Sequence, residues 1–383
     1  MNARVYRFIT QTLIVVIIFA IILLAGFAGQ IESADLIEPE YGLEGWRTNT
    51  AKSLIGFDEL VAGGPEKDGI AALEEPRFEA LEESYGWLSY NAPVIAVVIN
   101  ETARAYPLAV MLWHEIVNDT LGGKQIAVTY SPLSNSVAVY ERKIGREAVT
   151  FGVSGMLRNS DMVMYDRVTE SLFQQFTGVG LVGDFAGESL KRLNCQTVSL
   201  QQFAKSYPDG TVLSADTGYD RDYGENPYVG YDDISNVPFM FTGLVNGALS
   251  PMERVVAINF NGVVRAYPFY ITRTKGVIND HAGDEPIVIF HAGNTVSAVD
   301  CEYIRYSRPV GSTGVFSRKV GKHNLTFFFD GINIVDQQTR STWDVTGKAT
   351  RGVLRGERLT PIIHGDYFAF AWLTFYRHSE ICR

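Results

Sequence analysis

One motif occurs twice in this chain of 383 residues. The tetrapeptide Arg-Ala-Tyr-Pro at 104–107 recurs at 265–268, and an Asn-Asp pair follows each copy at the same spacing, at 118–119 and 279–280. Apolar runs flank both copies, so the match covers a supersecondary unit. Because segments of equal pattern form equal elements, the sequence predicts two tandem copies of one fold.

The repeat extends toward the C-terminal end of each copy. Residues 165–171 and 335–341 share an aspartate at their second position and a Thr-x-Ser ending, and a Thr-Gly pair follows each of them. We assign repeat one to 61–213 and repeat two to 251–383. The connector between them, 214–250, is rich in Tyr, Asp and Gly, and we expect it to be ordered and packed on the repeats.

Short β-branched and aromatic runs broken by Gly, Asn and Asp fill most of repeat one. This pattern predicts an α+β fold, mainly antiparallel β, with a short helix over 108–117 that ends before Asn118. A second helix is expected near 201–207, with a counterpart at 371–376. Strands are expected at 94–107 (two), 126–130, 137–140, 148–153 and 162–165.

The N-terminus has the pattern of an export signal or a membrane anchor. Arg4 and Arg7 precede an apolar stretch of roughly 20 residues counted from Phe8, about the length that spans a bilayer. We favour an uncleaved anchor over 1–30, followed by a tether over 31–60. The positive-inside bias then predicts a cell-membrane protein whose body is extracytoplasmic, whether or not the segment is cleaved.

Charge and cysteine content exclude some functions. The net charge of -10, with no basic cluster, argues against nucleic-acid binding. The three cysteines, Cys195, Cys301 and Cys382, are too widely spaced for a CxxC site, which leaves small buried thiols or a single disulfide. The acidic connector lacks the full calcium-loop pattern. We expect no cofactor and no metal.

Candidate site residues concentrate in repeat one, and each has a plain structural alternative. His114 and Glu115 pair a base with a carboxylate where repeat two has Lys275 and Gly276, so the fold does not require them. The strand break after Tyr130 presents hydroxyls and an amide that could equally serve their own turn. The predicted ligand-binding residues are Arg104, His114, Glu115, Ser131, Ser134, Asn135, Asn159 and Asp161.

Seven motifs resemble the bacterial and archaeal family called domain of unknown function 3179. They are Gly-Gly-Pro-x-Lys-Asp-Gly-Ile (63–70), Arg-Ala-Tyr-Pro (104–107), Trp-His-Glu-Ile-Val-Asn-Asp (113–119), Thr-Tyr-x-Pro-Leu-x-Asn (129–135), Phe-Gly-Val-Ser-Gly-x-Leu-x-Asn-Ser-Asp (151–161), Met-Tyr-Asp-Arg-x-Thr-Glu-Ser-Leu (164–172) and Asp-Thr-Gly-Tyr-x-Arg-Asp-Tyr-Gly-x-Asn-Pro-Tyr (216–228).

The chain departs from the family's sequence pattern at one informative place. Where the family has Tyr-Cys-Pro-Leu-Cys, this sequence has Ser131 and Ser134. The thiol or soft-metal chemistry that a CxxC implies does not carry over, because hydroxyls form no disulfide and bind soft metals weakly. We therefore expect no tightly bound copper and no dithiol couple, although a Cys pair at these positions should bind a soft metal if the loop and His114 converge.

Three functions remain open from the sequence. The first is a membrane-anchored binding module with a polar pocket in repeat one, whose partner is a small ligand or an envelope protein. The second is a hydrolase-like enzyme that uses His114 as base with Ser131 or Ser134, or a degenerate copy of a family thiol or metal site. The third is a structural envelope module. An enzyme requires His114 within hydrogen-bond reach of a Ser or Asp in a cleft.

Overall fold

The computed structural model describes residues 43–382, which belong to one compact unit. The predicted anchor at 1–30 and the first part of the tether lie outside the described residues. Between residues 43 and 382, no helix is both long enough and apolar enough to cross a membrane.

The first half of the described chain, 61–213, is mainly β. Its strands are β1 (Val61–Ala62), β2 (Phe78–Ala80), β3 (Pro93–Ile99), β4 (Thr102–Pro107), β5 (Ile116–Leu121), β6 (Lys124–Ser131), β7 (Ser136–Glu141), β8 (Lys143–Ile144), β9 (Glu147–Ala148), β10 (Phe151–Arg158), β11 (Asp161–Asp166), β12 (Leu172–Gln174), β13 (Gly180–Val182), β14 (Arg192–Leu193), β15 (Cys195–Ser199) and β16 (Thr211–Leu213).

The second half, 251–382, has the same character. Its strands are β17 (Arg254–Phe260), β18 (Val263–Pro268), β19 (Val277–Ala282), β20 (Glu285–Ala292), β21 (Ser312–Ser317), β22 (Lys319–Val320), β23 (His323–Asn324), β24 (Phe327–Phe329), β25 (Ile334–Asp336), β26 (Thr342–Trp343), β27 (Ala349–Arg351), β28 (His364–Phe368) and β29 (Glu380–Ile381).

The helices are short and lie between strands. They are α1 (Leu81–Ser84), α2 (Leu108–His114), α3 (Leu200–Ser206), α4 (Phe269–Lys275) and α5 (Ala369–Phe375), with 3-10 turns at Phe57–Glu59 and Ile304–Tyr306. The prediction of an α+β fold, mainly antiparallel β, is confirmed: nearly all strand pairs are antiparallel.

Both halves pair their strands in the same order. The first half contains the sheets β15-β3-β4-β16-β2, β14-β7-β6-β5 and β1-β10-β11-β12-β13, and the second contains β28-β17-β18-β29, β19-β20-β21 and β24-β25-β26-β27. In each half one strand pairs in parallel with the Arg-Ala-Tyr-Pro strand, β16 with β4 and β29 with β18. The five elements from β17 to β20 each start the same number of residues after their counterparts from β3 to β6.

The first Arg-Ala-Tyr-Pro segment holds a buried ion pair. Arg104 in β4 donates from Nη1 to both carboxylate oxygens of Asp119, at 2.7 and 2.6 Å, and to the carbonyl of Thr120 at 3.1 Å. The Tyr106 hydroxyl donates to the same carboxylate at 2.6 Å. These bonds join the β3-β4 hairpin to β5 across two sheets.

Corresponding residues make corresponding bonds in the second half. Arg265 donates to Asp280 at 2.9 Å and to the carbonyl of His281 at 3.1 Å, while the Tyr267 hydroxyl donates to Asp280 at 2.7 Å. Arg265 also donates twice to Glu380, at 2.9 and 2.6 Å, and so ties the C-terminal strand to β18. Both arginines therefore take part in structural ion pairs.

Four details differ from the sequence predictions. The helix predicted over 108–117 ends at His114, because Glu115 adopts a positive φ of 56° and Ile116 pairs with Thr129 in the next sheet. The strand expected over 148–153 is divided, because Ala148 ends β9 and β10 begins at Phe151. The tether expected over 31–60 is packed from Leu43 onward, and its Trp46 ring lies edge-on to another aromatic ring at 5.0 Å. All three cysteines are free and partly exposed.

The two halves share a core. Phe176 of the first half stacks on Phe375 of the second, with ring centroids 4.4 Å apart, and also contacts Trp372. Buried side chains from both halves form one large cluster, and smaller clusters lie within each half. In the connector Tyr223 is buried, and Tyr228 and Tyr231 pack against the core.

Candidate functional site

Glu115 stands at a backbone position that favours glycine. Its φ of 56° and ψ of -30° end helix α2, its N–H donates to the carbonyl of Met111 at 2.8 Å, and its own carbonyl accepts from Tyr130. The corresponding residue after α4 is Gly276, with φ 67° and ψ -37°. A side chain at such a position costs roughly 1–3 kcal/mol, so the fold alone does not explain a glutamate there.

The Glu115 side chain is mostly buried, and its carboxyl has no protein partner among the described residues. The residue is 7% exposed, and within residues 43–382 its carboxyl forms no hydrogen bond or ion pair. Burial, and secondarily the negative charge of Asp161, raises its pKa to about 8. At neutral pH the carboxyl is therefore mostly protonated, and it can donate one hydrogen bond and accept another.

A cavity of about 330 Å³ opens beside this carboxyl. Its wall is mainly apolar and is formed by the loop at 63–70, strands β10 and β11, and the connector. The lining residues besides Glu115 are Gly63, Pro65, Ile70, Leu133, Val153, Gly155, Met156, Leu157, Met162, Tyr228, Tyr231 and Phe239. We call this cavity the Glu115 pocket. Its size and its single carboxyl group are those of a small-molecule site.

A closed polar cluster lies next to the pocket wall. The Ser134 hydroxyl donates to Asp161 Oδ1 at 2.7 Å, while Gln174 Nε2 and the Phe176 N–H donate to Oδ2 at 2.7 and 3.0 Å. Burial raises the pKa of Asp161 to about 6, against the lowering effect of these bonds. All four groups are buried, so the cluster is an internal network.

Ser131 is likewise satisfied inside the protein. Its hydroxyl accepts the N–H of Met162 at 3.2 Å, and its carbonyl accepts the Ser134 hydroxyl at 3.3 Å. Neither serine is open to a substrate, since Ser131 and Ser134 are both buried. These two hydroxyls fix strand β11 and the loop after β6 behind the pocket.

The two predicted asparagines hold turns. Asn135, at φ 53°, donates from Nδ2 to the carbonyl of Asp366 at 3.1 Å and accepts the Tyr130 hydroxyl at 3.4 Å, so it links the two halves. Asn159, at φ 55°, forms the tight turn between β10 and β11 with Ser160. Asparagine tolerates this left-handed conformation better than most residues.

His114 faces away from the serines. Its Nδ1 lies 2.6 Å from the carbonyl of Ala71 and therefore carries the proton, and its Nε2 accepts from the Tyr223 hydroxyl at 2.6 Å. Burial lowers its pKa, and the charge of Arg221 lowers it further, against the raising effect of the Ala71 carbonyl. Among residues 43–382, a neutral His114 with both nitrogens occupied contacts no serine, so this part of the chain provides no Ser–His pair at that histidine.

The structure thus brings together half of the predicted site. Glu115 lines the pocket, and Ser131, Ser134 and Asp161 lie just behind its wall, whereas Arg104 and His114 are bound elsewhere and the asparagines shape turns. The sequence patterns did not indicate the pocket residues Met156, Met162, Tyr228, Tyr231 and Phe239 or the Asp161 partner Gln174. The four connector tyrosines were the available signal for part of this set.

The donor set of the described residues does not suit a metal. Between residues 43 and 382, no three His, Cys, Asp or Glu side chains lie close enough to hold an ion. Around Ser131 and Ser134 the nearby donors are hydroxyls and one hydrogen-bonded carboxylate, and His114 is not among them.

The chain belongs to the family described as "Protein of unknown function (DUF3179)", whose model matches residues 67–379. This confirms the resemblance that the motifs indicated. No curated protein and no solved structure matches the chain significantly.

Proposed function

We propose that this protein is an exported, membrane-anchored binding protein, built from two copies of one unit, whose ligand site is the Glu115 pocket. The body lies on the extracytoplasmic side of the cell membrane. The ligand is a small molecule with an apolar body and one group that accepts a hydrogen bond from Glu115. A single observation carries the proposal: a carboxyl without a partner faces an apolar cavity from a strained backbone position.

The chemistry of the pocket supports this class of ligand. A protonated carboxyl in an apolar wall is left with an unused donor, and a ligand carbonyl would satisfy it. Tyr228 lines the same cavity as Glu115; burial raises the pKa of its phenol, and the negative charge of Glu115 raises it further. The aromatic rings of Tyr231 and Phe239 offer contact area for an apolar body.

The duplicated architecture is supported by bonds as well as by strand order. Asn118 exchanges two hydrogen bonds with the backbone of Phe151, at 2.8 and 2.9 Å, and Asn279 does the same with Phe327, at 2.7 and 2.9 Å. These pairs occupy corresponding places in the two halves. In the second half the space beside Gly276 is filled by a phenylalanine ring, so no comparable carboxyl exists there.

Acetophenone tests the site directly, because it has a carbonyl acceptor, an apolar ring and no donor. We expect the full-length chain in detergent to bind it at pH 6 and to lose most of that binding at pH 9, when Glu115 is ionised and has no proton to donate. Ligand-observed NMR titration measures this. Ethylbenzene, which lacks the acceptor, should bind weakly and independently of pH.

Two variants provide the matched controls. Glu115→Gln keeps a hydrogen-bond donor and should bind acetophenone equally at both pH values. Glu115→Gly should not bind acetophenone in the pocket, so the signal that remains in this variant measures partition of the probe into micelles. Binding to wild type that does not change between pH 6 and 9, or that survives in Glu115→Gly, would contradict the proposed site.

The anchor is tested separately. With Arg4 and Arg7 on the cytoplasmic side, we expect the full-length chain to sediment with membranes and its body to be cleaved by protease added from the extracytoplasmic side. A chain in which residues 1–30 are replaced by a cleavable export signal should be released as the control. Recovery of a soluble mature chain beginning near Gly29 would show a signal peptide instead.

A further inference from the structure

A second and larger cavity, of about 660 Å³, lies between helix α3 of the first half and residues of the second half, and it shares no lining residue with the Glu115 pocket. Helix α3, the C-terminal end of α4 and the residues around β26 and β27 form its wall. We call it the basic cleft. Nothing in the proposed function uses it.

Four cations line the basic cleft: Lys205, Arg273, Lys348 and Arg355. Three of them, Lys205, Arg273 and Arg355, are exposed, and among residues 43–382 their side chains form no hydrogen bond or ion pair. Lys348 donates to the carbonyl of Ser206 at 3.2 Å and keeps two further protons free. Among the described residues, three cations without a hydrogen-bond or ion-pair partner and a fourth with one partner thus line the same cavity.

One carboxylate lies among the described lining residues, and it is already satisfied. Asp344 accepts the Ser206 hydroxyl at 2.6 Å, the Thr346 hydroxyl at 2.7 Å and two backbone N–H groups. The cleft therefore carries a net positive charge, although the whole chain has a net charge of -10. Such local concentration of one charge attracts the opposite charge to the cavity.

Apolar side chains border the same cations. Phe329 is 43% exposed and Ile332 is 85% exposed at the edge of the cleft, and the buried ring of Trp343 lies in its wall. An inorganic ion is not stabilised by contact with this apolar surface, whereas the carbon frame of an organic anion is stabilised by burial against it. Gly276, the counterpart of Glu115, lines the cleft, so the acid of the first pocket has no equivalent here.

We propose that the basic cleft binds a small organic anion, a molecule with a phosphate or carboxylate group and an apolar body. Arg273 and Arg355 hold the anionic group, since guanidinium donors match the geometry of both oxyanions. Lys205 adds charge at the rim, and Phe329 and Ile332 contact the carbon frame. This site is independent of the Glu115 pocket.

Phenyl phosphate is the probe, with phenol and inorganic phosphate as its two halves. In a calorimetric titration, we expect the full-length chain to bind one molecule of phenyl phosphate. The affinity should be higher than for phenol or for inorganic phosphate, and it should fall as salt is added. Arg273→Gln and Arg355→Gln should each weaken binding about tenfold, the loss of one charge-assisted contact. Both residues are exposed, so the melting temperature should hardly change.

Lys322→Gln is the matched control, because Lys322 is an exposed cation on the β22-β23 hairpin outside the cleft. Its affinity for phenyl phosphate should equal that of wild type. Three results would each overturn the proposal: no binding of phenyl phosphate at millimolar concentration, equal affinity in the two arginine variants and wild type, or phenol binding as tightly as phenyl phosphate. Equal affinity for inorganic phosphate would overturn the apolar part of the site.

Discussion

Replacing Asp119 with alanine should lower the free energy of unfolding by about 3–5 kcal/mol, the usual cost of removing one partner of a buried pair. The carboxylate is 7% exposed and receives Arg104, the Tyr106 hydroxyl and the N–H of Thr120. Without it, the Tyr106 phenol loses its acceptor and the Arg104 guanidinium keeps only the carbonyl of Thr120. Tyr106 is fully buried in the native protein, so its phenol is shielded from bulk water.

Asp280→Ala is the matched comparison, because Asp280 accepts the corresponding bonds from Arg265 and Tyr267. Its side chain is 28% exposed and Arg265 keeps Glu380 as a partner, so we expect a smaller loss. Arg265→Ala should also lower stability, as it removes the link to the C-terminal strand. Urea unfolding measures all three variants. Equal stability of Asp119→Ala and wild type, or an unchanged melting temperature in Arg265→Ala, would refute the structural role of these ion pairs.

The sequence predicted the types of most elements because the patterns that favour helices, strands and turns act over short distances along the chain. The apolar runs after residues 94 and 255, the Pro that precedes α2 and α4, and the turn residues after each strand all act within a few positions. The capping box in which Ser199 and Gln202 bond each other's backbone explains the start of α3 in the same way.

The residue at which α2 ends could not be predicted from the sequence, and the reason is physical. Glutamate is a good helix former, and the pattern of Leu112 and Ile116 continued the helix through Glu115. The tertiary pairing of Ile116 with Thr129 overrides this preference and forces the positive φ. The counterpart Gly276 held the clue, since glycine after a helix commonly ends it.

The sequence indicated part of the candidate site because the two halves differ there. Comparison of His114 and Glu115 with Lys275 and Gly276 marked the position of the proposed pocket but could not tell which side chain lines the cavity. The serines were marked by a broken strand, yet their hydroxyls bond Met162 and Asp161 inside the protein. The apolar wall comes from distant segments that only the fold brings together.

Replacing Glu115 with glycine should stabilise the protein by about 1–3 kcal/mol at pH 6, the cost of holding a side chain at a strained backbone position. The change also removes a buried carboxyl without a partner. The added backbone entropy of glycine offsets part of the gain, by roughly 0.5–1 kcal/mol. Acetophenone binding should disappear in the same variant, as expected where a proposed binding site lowers stability.

The gain should grow as the pH rises. Burial raises the folded pKa of Glu115 to about 8, above the usual value of 4.5, so the folded state holds its proton more tightly than the unfolded state. Wild-type stability therefore falls as the pH rises from about 4.5 to 8, and the glycine variant lacks this contribution. Urea unfolding at pH 6 and pH 8.5 measures the difference between the two proteins.

Glu115→Gln separates strain from charge in this prediction, since glutamine keeps the strained φ but does not titrate. We expect the glutamine variant to lack the destabilisation that comes from ionising residue 115 and to keep the destabilisation that comes from the strained backbone. Its free energy of unfolding should therefore lie below that of the glycine variant at both pH values. Asp366, whose pKa burial also raises, is common to all three proteins. Asp161 is common to them as well, but its charge acts on Glu115, so wild type differs from both variants by the titration of the Glu115–Asp161 pair. A glycine variant less stable than wild type at both pH values would mean that Glu115 serves the fold, and the carboxyl would then need a structural explanation instead of a ligand.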